Sequence, residues 1–369
     1  MHINTQKDPR IIMTLDAGGT NLVFSAIRGN QQIVPDIHKP SSPDDLEGIL
    51  ESLVKGFEAV SEQLPGKASA ISFAFPGPAD YPKGIIGDLP NFKAFQGGVA
   101  LGPMLEDHFG IPVYINNDGN LFAYGEALAG FLPDLNKRLE EAGSLKRYDS
   151  LIGFTLGTGF GAGIVLDNKM IVGNSSSGAE IHNTLNQYHP DWNAEESVST
   201  RAIRRVYAEL SGIPFDSAPM PAGIYEIAKA NGEAAREAAR EAFVRFGRGL
   251  GSSIANAMSL IDGIVVLGGG ITAAWDLFAP AMFREINREY RDFRGNSFPR
   301  LSYKVYNLED EHTFGEFVRG KTREITVPGS GRKITYDDLP RTGVGRSALG
   351  ASRAIALGAY AFALQQLDT

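Results

Sequence analysis

Two glycine-rich turns have the residue types of loops that bind an anion. Residues 16–21 read DAGGTN and residues 157–163 read GTGFGAG, and each follows an apolar run. Glycine lets a ligand approach the backbone closely, and successive N–H groups in such a turn can converge on one anion. A further apolar run follows each turn, which predicts a strand on either side. The residues that we expect around the anion are Gly18, Gly19, Thr20, Asn21, Gly157, Thr158 and Gly159.

Asp16 adds a carboxylate to the first turn. It stands at the end of a predicted buried strand, where it can hold a hydrated Mg²⁺ that accompanies phosphate. Taken alone, an ordinary β-hairpin explains this turn equally well, because a hairpin turn needs only one or two glycines. The first turn by itself leaves both interpretations open.

A third glycine cluster, Gly268, Gly269 and Gly270, lies between an apolar run and a segment with helical spacing. Three glycines allow flat backbone contact with a purine or a ribose. Taken alone, a tight strand-to-helix connection is the simpler explanation. The turn at 157–163 differs from the dinucleotide fingerprint, which needs a helix after its glycines, and from the Walker loop, which ends in Gly-Lys-Ser/Thr.

Composition and charge exclude several classes of protein. A length of 369 residues predicts two domains at about 150 residues each, and 43% apolar with 21% charged residues excludes a disordered chain or a coiled coil. Without cysteine there is no disulfide framework. The net charge of −8 argues against a nucleic-acid partner. The N-terminal residues lack a signal-peptide core and no run is suited to a membrane helix, so we expect a cytoplasmic protein.

The elements that must position these turns alternate between strand and helix. A strand–glycine turn–strand unit appears twice, at 11–27 and 151–166, which predicts two related α/β lobes. Residues 324–337 predict a hairpin that turns at 328–331. Helical spacing is found at 43–63, 102–109, 119–130, 195–210, 224–230, 233–259, from 272 onward and at 351–367.

Taken together, the motifs resemble those of the actin-like sugar-kinase superfamily and, more closely, the ROK family of sugar kinases and repressors. Their order and spacing match over roughly residues 11–290 and the last helix. The motifs are LDAGGTN at 15–21, FPGPAD at 75–80, LPNF at 89–92, INNDGN at 115–120, TLGTGFGAGIV at 155–165 and VVLGGGIT at 265–272.

The resemblance implies an α/β fold of two ribonuclease-H-like, actin-like ATPase lobes with an interdomain cleft. One lobe comprises residues 1–117 and is completed by the helix at 351–369. The larger lobe comprises residues 118–350 and carries an insertion at about 301–345. The implied ligands are ATP, Mg²⁺ held partly through Asp16 and water, and a sugar. Family members are often dimers or tetramers, so a homodimer is compatible with the resemblance.

Asp118 follows a predicted strand and opens a predicted helix. Phosphoryl transfer to a sugar alcohol needs a base that takes the hydroxyl proton, and the resemblance gives that role to the Asp of an Asn-Asp-x-Asn motif, here Asn117 to Asn120. The alternative is that Asp118 is the N-cap of the helix, which is a frequent use of Asp. Both roles can hold at once.

The resemblance also implies residues that bind the sugar. Glu180 matches a Glu of the family, while Asn183 stands where the family has a histidine, with His182 one residue away. Glu195 matches a further sugar-contacting Glu; its alternative is a surface residue in the first turn of a helix, and Glu196 is an adjacent competitor. The proposed set is Asn91, Asn117, Glu180, Asn183 and Glu195.

The family's usual zinc site is not expected here. That site uses the family histidine and three downstream cysteines, and this chain has no cysteine. We therefore predict no structural zinc, and we expect other contacts to hold residues 184–193, with Trp192 as a packing residue.

The leading hypothesis is an ATP-dependent hexose kinase with Asp118 as general base. The alternatives are a sugar-responsive regulator and a nucleotide- or sugar-binding protein without catalysis. Only 15 residues precede Asp16, which is too few for a DNA-binding domain, and intact Asp16 and Asp118 speak against the loss of catalysis.

Overall fold

A computed structural model describes residues 5–17, 21–41, 44–77, 79–87, 93–230 and 233–369. The chain forms two units. The first comprises Met1–Pro133, Gly163–Ala179 and Ser347–Thr369, and the second comprises Asp134–Ala162 and Glu180–Arg346. Strands and helices alternate in both, so the predicted α/β class is confirmed.

The strands are β1 Ile12–Ala17, β2 Asn21–Arg28, β3 Gln31–Pro40, β4 Ala70–Ala74, β5 Ala79–Asp80, β6 Ile85–Ile86, β7 Val113–Asn116, β8 Leu151–Leu156, β9 Phe160–Leu166, β10 Lys169–Met170, β11 Ile264–Gly268, β12 Glu289–Arg291, β13 Ser297–Pro299, β14 Lys304–Asn307, β15 Thr322–Thr326, β16 Lys333–Asp337 and β17 Arg341–Arg346. The α-helices are α1 Leu46–Ser61, α2 Leu101–Phe109, α3 Asp118–Leu128, α4 Phe131–Glu141, α5 Thr200–Ser211, α6 Pro221–Lys229, α7 Glu233–Met258, α8 Trp275–Ile286, α9 Glu311–Arg319 and α10 Ala351–Leu367. Among the described helices, none combines the length and the apolar character that crossing a membrane requires.

The first unit is built on a five-stranded sheet in the order β3-β2-β1-β4-β7. β1 and β2 pair antiparallel, from Ile12 opposite Ile27 to Ala17 opposite Leu22, which confirms the predicted hairpin. β1 pairs parallel with β4, and β4 pairs parallel with β7. The carboxyl ends of these three strands therefore meet at one edge of the sheet, and that edge carries Asp16 and the start of α3.

Helices cover the sheet of the first unit. The buried residues of α1 include Leu53 and Phe57, and the ring of Phe57 meets that of Phe24 edge to face at 5.0 Å between centroids. Tyr360 and Leu364 of α10 pack with Ile12 and Ala70. These contacts fix the edge of the sheet from which the polar residues project.

α3 and α10 approach each other closely because each has a glycine at the crossing. A Cβ atom on Gly125 would collide with the carbonyl of Ala354, and one on Gly358 would collide with the carbonyl of Leu121. The crossing therefore holds α3, whose first residue is Asp118, against α10.

In the second unit, β8, β11, β17 and β14 lie side by side in that order, and the adjacent pairs are parallel. β11 is buried along its whole length. The predicted hairpin at 324–337 is confirmed, because β15 and β16 pair antiparallel from Thr322 opposite Asp337 to Thr326 opposite Lys333.

Substituting Gly358 with alanine should destabilise the protein. Overpacking of this kind costs about 1–3 kcal/mol, because the new methyl group meets backbone that cannot move aside. Chemical denaturation gives the free energy of unfolding. The matched control is Gly315→Ala in α9, where a Cβ atom would meet nothing within 4 Å; helix propensity predicts no loss of stability there. Equal stability of the two variants would contradict the crossing argument.

Candidate active site

The junction between β7 and α3 places Asp118 without using it as a cap. Asn117 is the N-cap residue of α3: its Oδ1 accepts hydrogen bonds from the N–H groups of Gly119 at 2.8 Å and Asn120 at 3.4 Å. Asp118 is the first helical residue. The N-cap of α3, which was the alternative role for Asp118, is therefore Asn117.

The Asp118 carboxylate is exposed at the helix start, although protein surrounds it on several sides. Its Oδ1 accepts the N–H of Gly119 at 2.8 Å. The loss of hydrating water raises the pKa of Asp118 above its usual range, the Gly119 N–H opposes that rise, and the charge of Asp16 adds to it. Because solvent still reaches the side chain, the desolvation is incomplete. A raised pKa makes the carboxylate a better proton acceptor.

Two buried asparagines support this junction, and the sequence interpretation assigned neither of them. Asn116 Oδ1 accepts the N–H of Asn117 at 2.8 Å and the Nδ2 amide of Asn120 at 3.1 Å. Both side chains are at most 3% exposed. They fix the backbone on either side of Asp118. The sequence signal for this support was the recurrence of asparagine at residues 116–120, which read NNDGN.

Asp16 lies on the same sheet edge as Asp118. It is exposed at the end of β1, next to the buried Leu15, and Asn21 is exposed at the start of β2. The effect of the Asp16 charge on the pKa of Asp118 reflects how close the two carboxylates are. Gly18, Gly19 and Thr20 lie outside the described residues, and so does Asn91.

In the second unit, Thr200 anchors the turn at residues 157–159 by two hydrogen bonds. Both the N–H and the Oγ1 hydroxyl of Thr200 donate to the carbonyl of Gly157, at 2.8 and 2.9 Å. Within the turn, the Gly157 N–H donates to the Gly159 carbonyl at 3.1 Å. Thr158 and Gly159 are exposed, and their N–H groups form no hydrogen bond within the described part of the chain. These donors are available to a ligand.

Glu195 holds the same turn from its other end. Its Oε2 accepts the N–H of Phe160 at 2.9 Å, and its Oε1 accepts from Arg201 at 2.7 Å. Arg201 also binds Glu196. A Cβ atom on Gly159 would lie 2.9 Å from Glu195 Oε2, so a side chain there would displace this carboxylate.

The expectation that a helix begins at residue 195 is wrong. Ser199 caps α5, because its Oγ accepts the N–H of Ala202 at 3.3 Å, so α5 begins at Thr200. Glu195 lies instead in a short 3-10 turn, Ala194–Glu196. It is therefore not a surface glutamate in the first turn of a helix, and Thr200 and Arg201 are supporting residues that the sequence interpretation missed.

His182 rather than Asn183 lies beside Glu180. The Nδ1 atom of His182 is 3.0 Å from Glu180 Oε2. The Asn183 side chain is exposed, while its N–H donates to the carbonyl of Glu180 at 3.1 Å. Together the two groups can bind a hydroxyl group in either role, because the carboxylate accepts its hydrogen bond and an imidazole N–H can donate to its oxygen.

Of the three glycines at the end of β11, only Gly270 has open space around it. Gly268 is buried as the last residue of β11. Gly269 has a φ of 93° and lies against the carbonyl of Leu156, so no side chain fits there. A Cβ atom on Gly270 would meet nothing within 4 Å. Gly270 thus offers peptide surface to a flat ligand.

The segment at residues 184–193 is held by hydrogen bonds from Asn186. Its Nδ2 donates to the Asn193 carbonyl at 2.9 Å and to Ser197 Oγ at 2.8 Å. Its Oδ1 accepts the N–H of Tyr188 at 2.9 Å. Trp192 packs against the ring of His189 with 4.0 Å between centroids. The described residues include no group of three or more His, Cys, Asp or Glu that is placed to hold a metal ion.

Comparison with known proteins gives a family and full-length structural relatives. The family model described as "ROK family" matches residues 12–302. The crystal structure of a glucokinase from Parabacteroides distasonis is similar over 98% of this chain and 99% of that chain, with 50% identity and a TM-score of 0.88. A glucokinase from Thermotoga maritima is 27% identical over 73% of this chain and 85% of its own length.

A ROK family glucokinase from Streptomyces griseus, solved in complex with glucose and AMPPNP, shares the fold. It is 20% identical, with a TM-score of 0.63, over 96% of this chain and 99% of that one.

Replacing Thr200 with valine should loosen the turn at residues 157–159. The substitution removes the hydroxyl bond to Gly157 but keeps the backbone bond, and one such bond contributes about 0.5–1.5 kcal/mol. We expect a loss of that size in the free energy of unfolding and faster amide exchange at Phe160. The control is Thr335→Val, which alters an exposed side chain on β16. If amide exchange at Phe160 is equal in the two variants, Thr200 does not hold the turn.

Proposed function

The chain belongs to the ROK family, and from that premise we propose that it is an ATP-dependent hexose kinase. It transfers the γ-phosphoryl group of ATP to a sugar hydroxyl. Glucose is the proposed sugar, because the glucokinase from Parabacteroides distasonis is 50% identical over almost the whole chain. The observation that supports this mechanism is that Asn117, and not Asp118, is the N-cap of α3, while the pKa of the Asp118 carboxyl is raised.

Asp118 is the proposed general base. As the hydroxyl oxygen of the sugar attacks the γ-phosphorus, its proton passes to a carboxylate oxygen of Asp118, and the bond from phosphorus to the bridging oxygen breaks to release ADP. The Gly119 N–H keeps one carboxylate oxygen fixed at 2.8 Å. The other oxygen has no hydrogen bond within the described residues and is the proposed proton acceptor.

The glycine segments are the proposed nucleotide contacts. The exposed N–H groups of Thr158 and Gly159 suit phosphate oxygens. The open space at Gly270 lets a purine or ribose approach the backbone. Asp16 fits a water-mediated contact with Mg²⁺, because its carboxylate is exposed and because Mg²⁺ usually keeps several of its waters. When bound, Mg²⁺ neutralises charge on the β- and γ-phosphates. The other proposed nucleotide contacts are Gly18, Gly19, Thr20, Asn21, Gly157, Gly268 and Gly269.

Polar side chains with open hydrogen-bonding capacity are the proposed sugar contacts. Asn117 uses Oδ1 as the cap, so its Nδ2 donor remains for a hydroxyl. Glu180 and His182 offer a carboxylate with an imidazole. Glu195 already accepts hydrogen bonds from the Phe160 N–H and from Arg201. A contact between Glu195 and the sugar would therefore connect the sugar to the turn at residues 157–159. Asn91 and Asn183 complete the proposed set.

The direct test is a panel of sugars with ATP and Mg²⁺. We expect ADP release with glucose to exceed that with fructose, mannose and N-acetylglucosamine. Mass spectrometry of the product should show one added phosphoryl group. If no hexose stimulates ADP release above the background without sugar, the proposal fails.

Asp118→Asn should abolish most turnover and leave the fold intact. General-base catalysis contributes about 10²–10⁴-fold, and the amide cannot accept the proton, so kcat should fall by at least that factor. Glucose affinity, measured by calorimetry, should change little. The control is Asp107→Asn on α2, where the carboxylate is exposed and forms no ion pair within the described residues. A fully active Asp118→Asn enzyme would exclude the general-base role.

The same variant tests the raised pKa of Asp118 through stability. Because folding raises this pKa, the folded protein binds the proton more tightly than the unfolded chain. The carboxyl group's contribution to stability is therefore complete below the unfolded pKa and is lost as the pH rises through the folded pKa. Asparagine stays neutral, so Asp118→Asn should be at least as stable as the parent at pH 7. Denaturation at a series of pH values should show this advantage shrinking as the pH falls.

Asp16→Asn should weaken the use of Mg·ATP while sugar binding survives. The substitution removes the negative charge on the metal side and keeps the size of the side chain. We expect the KM for Mg·ATP to rise and kcat to fall, with the Kd for glucose in the absence of nucleotide unchanged. An equal loss of glucose affinity would count against this assignment.

A further inference from the structure

The second unit contains a cavity of about 440 Å³. None of the residues proposed to bind ATP, Mg²⁺ or the sugar lines it. Its size falls within the range of about 300–1,000 Å³ that small-molecule sites occupy. Its walls combine aromatic rings with cationic groups. The rings and arginines that matter here are Tyr188, His189, Trp192, Arg205, Arg245 and Arg248.

The charges on the cavity wall leave an excess of positive charge. Glu209 pairs with Arg205 at 3.0 Å, and Glu241 pairs with Arg245 at 3.0 Å. Both glutamates also line the cavity. Arg248 is exposed and has no carboxylate partner among the described residues. One guanidinium is thus available for an anion that enters the cavity.

Arg205 brings a second guanidinium to the cavity wall. It donates to the Glu209 carboxylate and, at 3.2 Å, to the Glu196 carbonyl. Its Nε atom is buried and has no hydrogen-bond acceptor in the described part of the chain. Because this atom is enclosed by protein, Arg205 offers a ligand in the cavity the positive charge of its guanidinium and not the Nε donor. Arginine is the side chain best suited to phosphate oxygens.

The aromatic residues of the cavity suit a ring. The guanidinium of Arg205 lies 4.7 Å from the ring centroid of Trp192, and His189 packs against the same indole. Trp192 is nevertheless 36% exposed, and Tyr188 is 40% exposed. Large aromatic surfaces of this kind can stack on a flat ring or on the apolar face of a sugar.

We propose that this cavity binds a small phosphate monoester that carries a ring. The phosphate contacts the exposed Arg248 near the guanidinium of Arg205, and the ring packs on Trp192 and Tyr188. A sugar phosphate and a nucleoside monophosphate share this chemistry. The site stands independently of the proposed kinase activity, which guides only the choice of probes.

Trp192 gives a direct spectroscopic readout of the cavity. The chain has two tryptophans, and the second, Trp275, packs against Phe278 and Phe283 in α8. Trp275→Phe therefore leaves Trp192 as the only tryptophan and keeps an aromatic ring at position 275. This variant is titrated with glucose 6-phosphate, AMP, inorganic phosphate and glucose while its fluorescence is followed. We expect saturable changes with glucose 6-phosphate or AMP at lower concentrations than with inorganic phosphate.

Removing one arginine at a time tests the site itself. In the Trp275→Phe background, Arg248→Gln should raise the Kd of the phosphate monoester about tenfold or more, because a hydrogen bond to a charged group is lost. Arg284→Gln is the matched control: Arg284 is an exposed helical arginine without an ion pair within the described residues, and it does not line the cavity. It should leave the Kd unchanged.

The outcomes distinguish sugar phosphates from nucleotides as ligands, and the cavity from the proposed active site as the place where they bind. Tighter binding of glucose 6-phosphate assigns the cavity to sugar phosphates, and tighter binding of AMP assigns it to nucleotides. No saturable change at millimolar concentrations, or equal weakening by Arg248→Gln and Arg284→Gln, overturns the inference. The titration is repeated with saturating glucose and Mg·AMPPNP, which occupy the proposed active site. Unchanged binding of the monoester supports a separate site, and its displacement by glucose or AMPPNP identifies the signal with the active site and overturns the inference.

Discussion

The parallel pairing of β1, β4 and β7 is the constraint on which the candidate active site of the first unit depends. Parallel strands end at the same edge of their sheet, so the pairing brings the end of β1 and the end of β7 to one side. Asp16 and Asp118 are exposed there for that reason, although about a hundred residues separate them in the sequence. Open α/β sheets commonly bind ligands at the carboxyl ends of their strands.

The capping of α3 determines what Asp118 is free to do. Asn117 caps the helix by accepting the N–H groups of Gly119 and Asn120, and Asp118 shares only the Gly119 N–H, through one carboxylate oxygen. Asn116 and Asn120 hold the backbone around it by buried hydrogen bonds. A carboxylate with a raised pKa is costly to the folded protein when it is ionised. The junction therefore tolerates an unfavourable charge at a position where three asparagines carry the structural role.

The second unit supports its glycine turn by a different means. The segment from Glu195 to Thr200 binds the turn at Gly157 and Phe160 through backbone and side-chain groups. The exposed N–H groups between those anchors are left without partners in the described residues. A turn that is fixed at both ends and open in the middle can receive an anion without a large loss of conformational entropy. Glu195 thus has a structural role beside its proposed contact with the sugar.

The sequence by itself determined the α/β class, the β1–β2 hairpin, the hairpin at 324–337 and the family, because these follow from local apolar patterning, turn residues and motifs of consecutive residues. It also identified Asp16, Asp118 and the glycine turns as candidates for chemistry. Only the tertiary structure decided that Asn117 rather than Asp118 caps α3 and that Thr200 and Arg201 support the turn at 157–159. It also decided that Glu195 precedes α5 and that His182 faces Glu180. Caps and supports depend on which of several neighbouring polar side chains reaches a particular N–H or carbonyl group. That choice is made by backbone direction and by contacts between residues distant in the sequence, which residue types and spacing do not encode.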